Sequence, residues 1–266
     1  MNLIVIDKSY LKGSKAEEIK NLKDKYNLVI PSALIYESIK GTTQERSNLF
    51  KKFPEIENPY IVSDDIEKMI QYETKTKKPY TGKKLQEKDL SIHRQLIDPS
   101  FEFNESQNKT IVEKKIRIEE EAQLIIELAE GISIKFQDEI KKQNGKITTI
   151  PEEITSEDHI KNIYKEATKS PNCIIKNPIP VNKLNKYWVN FRFFQLYSIL
   201  AWDIASRYPN VKEIKKSEKT LEKINHDILD CEILLTAMAL KGSIAMKEKK
   251  WERYWEILKT KGDFIS

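Results

Sequence analysis

Cysteine and glycine are both scarce in this chain, which has two cysteines and seven glycines among its 266 residues. Cys173 and Cys231 lie far apart and belong to no Cys-x-x-Cys or Cys/His pattern, so the sequence predicts neither a disulfide framework nor a structural zinc site. It also contains no glycine-rich loop of the kind that holds nucleotide phosphates and no Gly-x-Ser-x-Gly motif. The sequence therefore disfavours enzymes that bind nucleotides through a glycine-rich loop and serine hydrolases that have a nucleophile elbow.

Long hydrophobic runs are absent too. A membrane-spanning helix needs about 20 consecutive apolar residues, and no stretch of this sequence approaches that length. No basic segment followed by an apolar stretch marks the N-terminus as a secretory signal. We therefore expect a cytoplasmic protein that has no membrane partner.

Charge is plentiful, but neither sign dominates. Charged residues make up 33% of the chain, while the formal net charge is only +5. Such a small basic excess permits a phosphate-rich partner such as nucleic acid and does not require one.

The two ends of the chain alternate between strand-like and helix-like segments. Short β-branched or aromatic runs predict strands, and apolar residues at helical spacing predict the helices between them. The predicted strands cover residues 3–6, 28–30, 59–62 and 244–246, and the predicted helices cover 15–25, 32–40, 66–72, 217–240 and 251–258. This alternation indicates an α/β layer with a parallel sheet.

The middle of the chain is mostly helical in pattern. The pattern weakens over residues 72–104, and the polar, basic stretch of residues 75–84 within it predicts a mobile loop, here called the basic loop. After it we expect one or two long helices over 105–142, with a weak point at Gly131 and an end at Asn144-Gly145. The next predicted segments are a helix over 152–169, a connector over 171–180 and an aromatic helix over 182–207. At roughly 100 to 200 residues per domain, the length suits one elaborated domain or one domain with an insertion. We therefore predict a discontinuous core of residues 1–62 and 186–266, split by a helical insertion of residues 63–185.

Acidic residues stand at positions where a metal site could form. Asp7 directly follows the first predicted strand, where its carboxylate can face a cleft. On the helix from Ser217, at about 100° per residue, Asp227 falls beside the apolar stripe and Asp230 lies on the same side. Carboxylates that border a buried face are costly unless they are paired or bind a metal. There are two structural alternatives to a metal site: Asp227 pairs with a nearby lysine, or both acids are solvated.

Glu37 lies in the middle of an early predicted helix and adds a further carboxylate. Asp7, Glu37 and the Asp227/Asp230 pair together form a set of hard oxygen ligands, which suits Mg²⁺ or Mn²⁺ better than zinc or copper. Without a cation, clustered carboxylates raise one another's pKa. A metal held in this way can orient a water molecule and neutralise charge on a phosphodiester.

The order of four segments resembles that of the PIN-domain nucleases. These segments are Val5-Ile6-Asp7-Lys8-Ser9, Ile30-Pro31-Ser32-Ala33-Leu34-Ile35-Tyr36-Glu37, Asp227-Ile228-Leu229-Asp230-Cys231-Glu232 and Gly242-Ser243-Ile244-Ala245-Met246-Lys247-Glu248. The resemblance covers the first forty or so residues and the last fifty. It implies a three-layer core with a parallel sheet, and divalent metal bound by Asp7, Glu37 and Asp230, with Asp227 as an added or alternative ligand.

The chain departs from that family's pattern after its last core strand. The family commonly has Thr or Ser, any residue, and then Asp, whereas this chain has Met246-Lys247-Glu248. Glu248 can replace the acid with a longer reach, but Met246 has no hydroxyl group, which leaves the second metal position open. Lys8 and Lys247 flank the predicted site and are candidate phosphate contacts; solvated surface lysines are the alternative.

The resemblance implies a divalent-metal-dependent nuclease that hydrolyses RNA or single-stranded DNA, with RNA favoured. A role as a toxin or in antiviral defence is implied by the family resemblance alone. The helical insertion would select a substrate or a protein partner, and self-association is left open. Two other readings stay open: a catalytically degenerate PIN-like module that binds nucleic acid or protein, and a phosphatase-like hydrolase with Asp7 as nucleophile.

Overall fold

The computed structural model describes residues 2–56, 58–82, 90–142, 149–169, 175, 177–208, 210–258 and 261–266. The chain divides into two compact units. The first, here called the sheet unit, comprises residues 1–69, 80–111 and 232–266. The second, here called the helical unit, comprises residues 70–79 and 112–231. The division into a core of residues 1–62 and 186–266 and an insertion of residues 63–185 stays a prediction.

The sheet unit contains a five-stranded parallel sheet in its described part, in the order β3-β2-β1-β4-β5. The strands are β1 (Leu3–Ile6), β2 (Asn27–Ile30), β3 (Ile61–Val62), β4 (Ser243–Ala245) and β5 (Phe264–Ile265). The parallel α/β sheet predicted from the sequence is confirmed. The last strand was not predicted, because two apolar residues near the end of the chain carry no periodic signal.

Strand β1 lies at the centre of the sheet, with Val5 paired to Val29 on one side and to Ile244 on the other. The chain adds β2 and β3 on one side of β1, and then reverses direction and adds β4 and β5 on the other side. In open parallel sheets, ligands bind outside the carboxyl ends of the strands at such a reversal. The carboxyl ends of β1 and β4 are therefore the place to look for a site.

The described residues also form thirteen α-helices. In chain order these are α1 (Lys8–Gly13), α2 (Ala16–Lys25), α3 (Ser32–Lys40), α4 (Thr43–Phe50), α5 (Ile66–Thr76), α6 (Leu90–Ile97), α7 (Glu105–Lys135), α8 (Gln137–Lys142), α9 (Glu152–Thr155), α10 (Glu157–Lys169), α11 (Val189–Arg207), α12 (Glu218–Leu240) and α13 (Lys249–Ile257). Residues of α5, α7 and α12 are divided between the two units. In the part that the structure describes, no helix is long and apolar enough to cross a membrane.

The apolar core of the sheet unit is built from strand residues and the helices that pack on them. Ile4 and Ile6 of β1 are fully buried in it together with Leu28 and Ile30 of β2. Helix α4 was not predicted, because its sequence is largely polar. It begins with a capping box, in which Glu45 N donates to the Thr42 hydroxyl at 3.1 Å and Thr42 N donates to the Glu45 carboxylate at 3.1 Å.

The long predicted helix of the middle region breaks at Phe136, between α7 and α8, and the weak point predicted at Gly131 is wrong, since Gly131 remains inside α7. Phe136 is buried and packs edge-on against Trp202, with ring centroids 5.6 Å apart. The break in the helix therefore coincides with the burial of this aromatic ring. Phenylalanine has no special backbone preference, so no local signal in the sequence marks a break here. Gly131 has nothing within 4 Å of the position where a Cβ atom would stand.

Helix α11 begins at Val189, later than the predicted residue 182. Its first backbone N–H groups donate hydrogen bonds to a buried carboxylate, which fixes where the helix begins. Glu73 is fully buried and accepts hydrogen bonds from Val189 N at 2.8 Å and Asn190 N at 2.9 Å. The Asn190 side chain donates to the same carboxylate at 2.8 Å. Glu73 thus caps a helix that lies more than a hundred positions further along the chain.

Several sequence predictions fall on residues outside the described ranges. These are part of the basic loop, including Lys83 and Lys84, the predicted helix end at Asn144-Gly145, and Cys173. The other cysteine, Cys231, is a buried thiol. Helix α5 runs to Thr76, so the first basic residue of the predicted loop, Lys75, is helical.

Candidate acidic site

Asp7 lies at the carboxyl end of β1, beside β4. Its backbone N–H donates to the carbonyl of Ala245 at 2.9 Å, which continues the pairing of the two strands. Its carboxylate is the N-cap of α1, because Oδ2 accepts a hydrogen bond from Ser9 N at 2.7 Å. The Ser9 hydroxyl donates to the same oxygen. The side chain is therefore held at the strand reversal by the helix that follows it.

Burial raises the pKa of Asp7 to about 6, and only 2% of the residue is exposed. The hydrogen bonds from Ser9 favour the ionised form and work against this shift. The negative charge of Glu37 acts in the same direction as burial and raises the pKa further. Asp7 and Glu37 are thus close enough for their negative charges to repel each other.

Glu37 comes from the middle of α3 and is 7% exposed. Helix α3 starts at Ser32, immediately after β2, and ends before Gly41, so Glu37 lies in its second half. The Lys8 ammonium group donates to the backbone carbonyl of Glu37 at 3.2 Å. This contact ties the start of α1 to α3, next to both acids.

The segment after β4 borders Asp7 through its backbone. Lys247 N donates to the Ser9 hydroxyl at 3.1 Å, so Ser9 bridges the ends of β1 and β4. The Lys247 ammonium group donates to the carbonyl of Gly13 at 2.9 Å and lies 5.6 Å from the centre of the Tyr10 ring. Glu248 is exposed and precedes the first residue of α13, and Met246 is fully buried.

Asp227 belongs to the helical unit, where it pairs with an arginine. One guanidinium nitrogen of Arg207, Nη2, lies 2.7 Å from Asp227 Oδ2 and 2.6 Å from Asp203 Oδ2. Burial opposes the charged form of Arg207, but the two carboxylates outweigh it and raise its pKa. The pairing of Asp227 with a basic side chain, the structural alternative raised by the sequence, is therefore present with arginine in place of lysine.

Asp230 is half-buried on α12, three residues after Asp227 and in the same unit. The structure brings Asp7 together with Glu37 in the sheet unit, and convergence with Asp227 and Asp230 stays a prediction. Among the described residues, no group of three or more histidine, cysteine, aspartate or glutamate side chains is arranged to hold a metal ion. The described acidic site is therefore a buried pair.

Sequence reasoning assigned no role to Ser9 or Glu232, and it named Asp203 only as a candidate cleft residue of the aromatic helix. Ser9 had a detectable signal, since a serine two residues after a strand-end aspartate suits an aspartate N-cap. Asp203 stands four residues before Arg207, the spacing of a helical ion pair. Glu232 is a buried carboxylate of the sheet unit, 2% exposed, and no periodicity distinguishes it from its neighbours on α12.

Comparison with protein-family models, with curated proteins and with solved structures finds no match for this chain.

Proposed function

We propose that the protein is a divalent-metal-dependent nuclease that hydrolyses phosphodiester bonds of RNA or single-stranded DNA. The observation that carries this proposal is the buried pair of carboxylates, Asp7 and Glu37, at the strand reversal of a parallel sheet. Ligand sites of such sheets lie at this position. A buried acid with a strongly raised pKa in such a place is a candidate functional group.

The donor chemistry of the pair fits a hard cation. Both side chains offer carboxylate oxygens, which Mg²⁺ and Mn²⁺ prefer. Both hydrogen bonds from Ser9 go to the same oxygen of Asp7, Oδ2. Bound at the pair, a cation would offset the repulsion between Asp7 and Glu37 that contributes to the raised pKa.

Each residue of the proposed site has a distinct task. Asp7 and Glu37 would hold the cation, with Glu248 at a second position, and the roles of Asp227 and Asp230 as further ligands stay predictions from the sequence. Ser9 orients Asp7, and Lys8 would contact a phosphate of the substrate, as would Lys247 if its ammonium group left the Gly13 carbonyl. When bound there, Mg²⁺ or Mn²⁺ would polarise a water molecule and neutralise charge that develops on the phosphodiester.

The choice of RNA over DNA and a role as a toxin or antiviral defence effector in the cytoplasm rest on the resemblance alone. The lysines that flank Asp7 and β4 support a nucleic-acid substrate in general, and the small net charge of +5 permits one. The helical unit is the proposed contact for a protein partner or a second copy of the chain.

The test is cleavage of end-labelled RNA and single-stranded DNA by the purified protein, with Mg²⁺, with Mn²⁺ and with EDTA. Asp7→Asn keeps an N-cap acceptor but removes the charge, so we expect it to lower metal-dependent cleavage by about 100-fold or more. Asp24→Asn, an exposed acid on α2, is the matched control and should cleave like wild type. Equal cleavage by wild type and Asp7→Asn would refute the assignment, and phosphate release from small monoesters would favour an Asp7 nucleophile instead.

A catalytically degenerate module that binds nucleic acid or protein is the second candidate. Two observations favour it: Asp227 pairs with Arg207, and Asp7 has a structural task as the cap of α1. This function predicts RNA binding without cleavage under every metal condition. The same labelled substrates, followed by gel shift, distinguish the two functions.

A further inference from the structure

A surface cavity of about 240 Å³ lies in the sheet unit, next to the acidic pair. Its lining includes four cationic side chains, Lys8, Lys12, Arg46 and Lys52, and one carboxylate, Glu45. Pockets for drug-sized ligands usually measure about 300–1,000 Å³, so this cavity suits a smaller group. Its excess of positive charge indicates that the group is an anion.

Arg46 gives the cavity a buried cation. The residue is 3% exposed, and its Nη2 donates to the carbonyls of Asp98 at 2.8 Å and Phe101 at 3.1 Å. Its Nε is buried and has no hydrogen-bond partner among the described residues. The two carbonyl groups are neutral, so these hydrogen bonds fix the guanidinium group without cancelling its positive charge.

Lys52 is held in place as a second fixed charge. Its ammonium group donates to the carbonyls of Leu11, Lys12 and Ser14, at 2.8, 2.9 and 2.8 Å. Burial and the nearby charge of Lys247 lower the pKa of Lys52. Since the Lys52 ammonium is bound to carbonyl groups rather than to a carboxylate, these hydrogen bonds do not cancel its charge.

The remaining charges leave the balance positive. Lys12 is exposed and Lys8 is half-buried. Glu45 attracts both lysines, but its carboxylate is also the acceptor for the Thr42 backbone N–H, which lowers its pKa. In the lining, one carboxylate therefore faces four cations, while Asp98 near Arg46 and Glu18 and Lys247 near Lys52 lie outside it. This balance favours an anion in the cavity.

We propose that this cavity binds a phosphate group, and that its natural source is a terminal phosphate of a nucleic acid. Phosphate suits a cluster of lysine and arginine donors because it offers several strong acceptors. Lys8 connects the cavity to the acidic pair, since it follows Asp7 and donates to the Glu37 carbonyl. The phosphate site itself is independent of the proposed function; only the choice of a nucleic-acid end as its source rests on the nuclease proposal.

The first test is calorimetric titration of the metal-free protein with inorganic phosphate. We expect saturable binding to wild type, a loss of at least about tenfold in affinity in Lys12→Glu, and no change in Lys20→Glu. Lys20 is an exposed lysine of α2 outside the cavity lining, which makes it a matched control. Absence of saturable binding to wild type, or equal losses in the two variants, would overturn the proposal.

The source of the phosphate is identified by comparing oligoribonucleotides with phosphorylated and unphosphorylated ends, together with a free mononucleotide. Binding of the phosphorylated oligonucleotide above both others supports a nucleic-acid end. A mononucleotide that binds equally well supports the phosphate site and overturns that source. Asp7→Asn should retain phosphate binding, so a failure of the nuclease proposal is distinguishable from a failure of this one.

Discussion

At the scale of single residues, the charge of Asp7 is the most consequential feature. The residue combines two tasks that pull in different directions. As the cap of α1 it accepts two hydrogen bonds from Ser9, which favours the carboxylate form. Burial and the neighbouring charge of Glu37 disfavour that same form. A residue that only caps a helix need not be buried beside a second acid, which is why this pair stands out.

The first prediction is that Asp7→Asn stabilises the metal-free protein at pH 7. The folded pKa of about 6 lies above the ordinary value of 3.8. Folding therefore favours protonated Asp7, and this contribution to stability, complete below pH 3.8, is lost as the pH rises through about 6. We expect a gain of roughly 1–3 kcal/mol at pH 7 from urea unfolding. The gain should shrink towards zero at pH 4.

Divalent cations provide the control for this prediction. Binding to the folded state alone raises the melting temperature, so Mg²⁺ or Mn²⁺ should stabilise wild type and have little effect on Asp7→Asn. If Asp7→Asn instead destabilises the protein at pH 7, the ionised Asp7 cap contributes more to stability than burial and the repulsion by Glu37 cost. Equal shifts with metal in both proteins would show that Asp7 is not a ligand.

At the scale of elements, helix ends in this protein depend on distant side chains. The start of α11 is the clearest case, because Glu73 of α5 satisfies two backbone donors and one side-chain donor there. A carboxylate at a helix N-terminus also interacts favourably with the helix dipole. The start of α11 is therefore specified by tertiary contact rather than by a local cap.

We predict that Glu73→Ala lowers the free energy of unfolding by at least about 2 kcal/mol, because it leaves buried donors without an acceptor. Glu73→Gln, which keeps one acceptor oxygen, should lose less. Urea unfolding gives the magnitude, and hydrogen exchange should show faster exchange at Val189 and Asn190. An effect of Glu67→Ala, an exposed acid on the same helix, as large as that of Glu73→Ala would contradict this role.

Two glycines should respond to alanine in opposite directions. Gly131 lies in α7 with open space around a Cβ atom, so Gly131→Ala should stabilise the protein by about 0.5–1 kcal/mol. At Gly262, before β5, a Cβ atom would lie 2.1 Å from the carbonyl oxygen of Gly242, so Gly262→Ala must displace the chain there. We expect a lower melting temperature for that variant. A neutral effect would mean that the approach of these segments adjusts easily.

At the scale of the whole molecule, the balance of charge limits how the protein meets a polyanion. A net charge of +5 is small, so affinity for nucleic acid has to come from local clusters such as the cavity lined by Lys8, Lys12, Arg46 and Lys52. Contacts to phosphates release counterions, which makes the affinity depend on salt.

We predict that RNA binding weakens by about tenfold or more between 50 and 200 mM NaCl, measured by fluorescence anisotropy with catalytically inactive Asp7→Asn. Lys12→Ala should reduce the slope of log affinity against log salt by about one, as expected for the loss of one phosphate contact. Lys20→Ala should leave the slope unchanged. A salt-independent affinity would contradict phosphate contacts as the source of binding.

Much of the sheet was predictable because its strands are short, apolar and bounded by turn residues. The sequences of Leu3–Ile6 and Asn27–Ile30 are most simply interpreted as buried strands. The helical segment that connects them favours a parallel arrangement of the two strands. Helices α1, α4 and α6 were missed. Helix α1 has only six residues, α4 has no clear apolar periodicity, and α6 follows residues with a weak pattern. The position of Asp7 followed from the strand that precedes it, whereas its closeness to Glu37 was only a hypothesis from the resemblance and the chemistry of the acids.

Local pattern along the chain thus determined the parallel sheet, the strand-end position of Asp7 and the helical character of the middle region, because each depends on residues within a few positions of one another. Only the tertiary structure decided that α7 ends before Phe136 and that Glu73 caps the start of α11. It likewise decided that Arg207 joins Asp203 to Asp227 and that Arg46 and Lys52 line one cavity. These features join residues whose sequence separation carries no periodic signal. They form because burial leaves each charge or donor in need of a partner that the folded chain can supply.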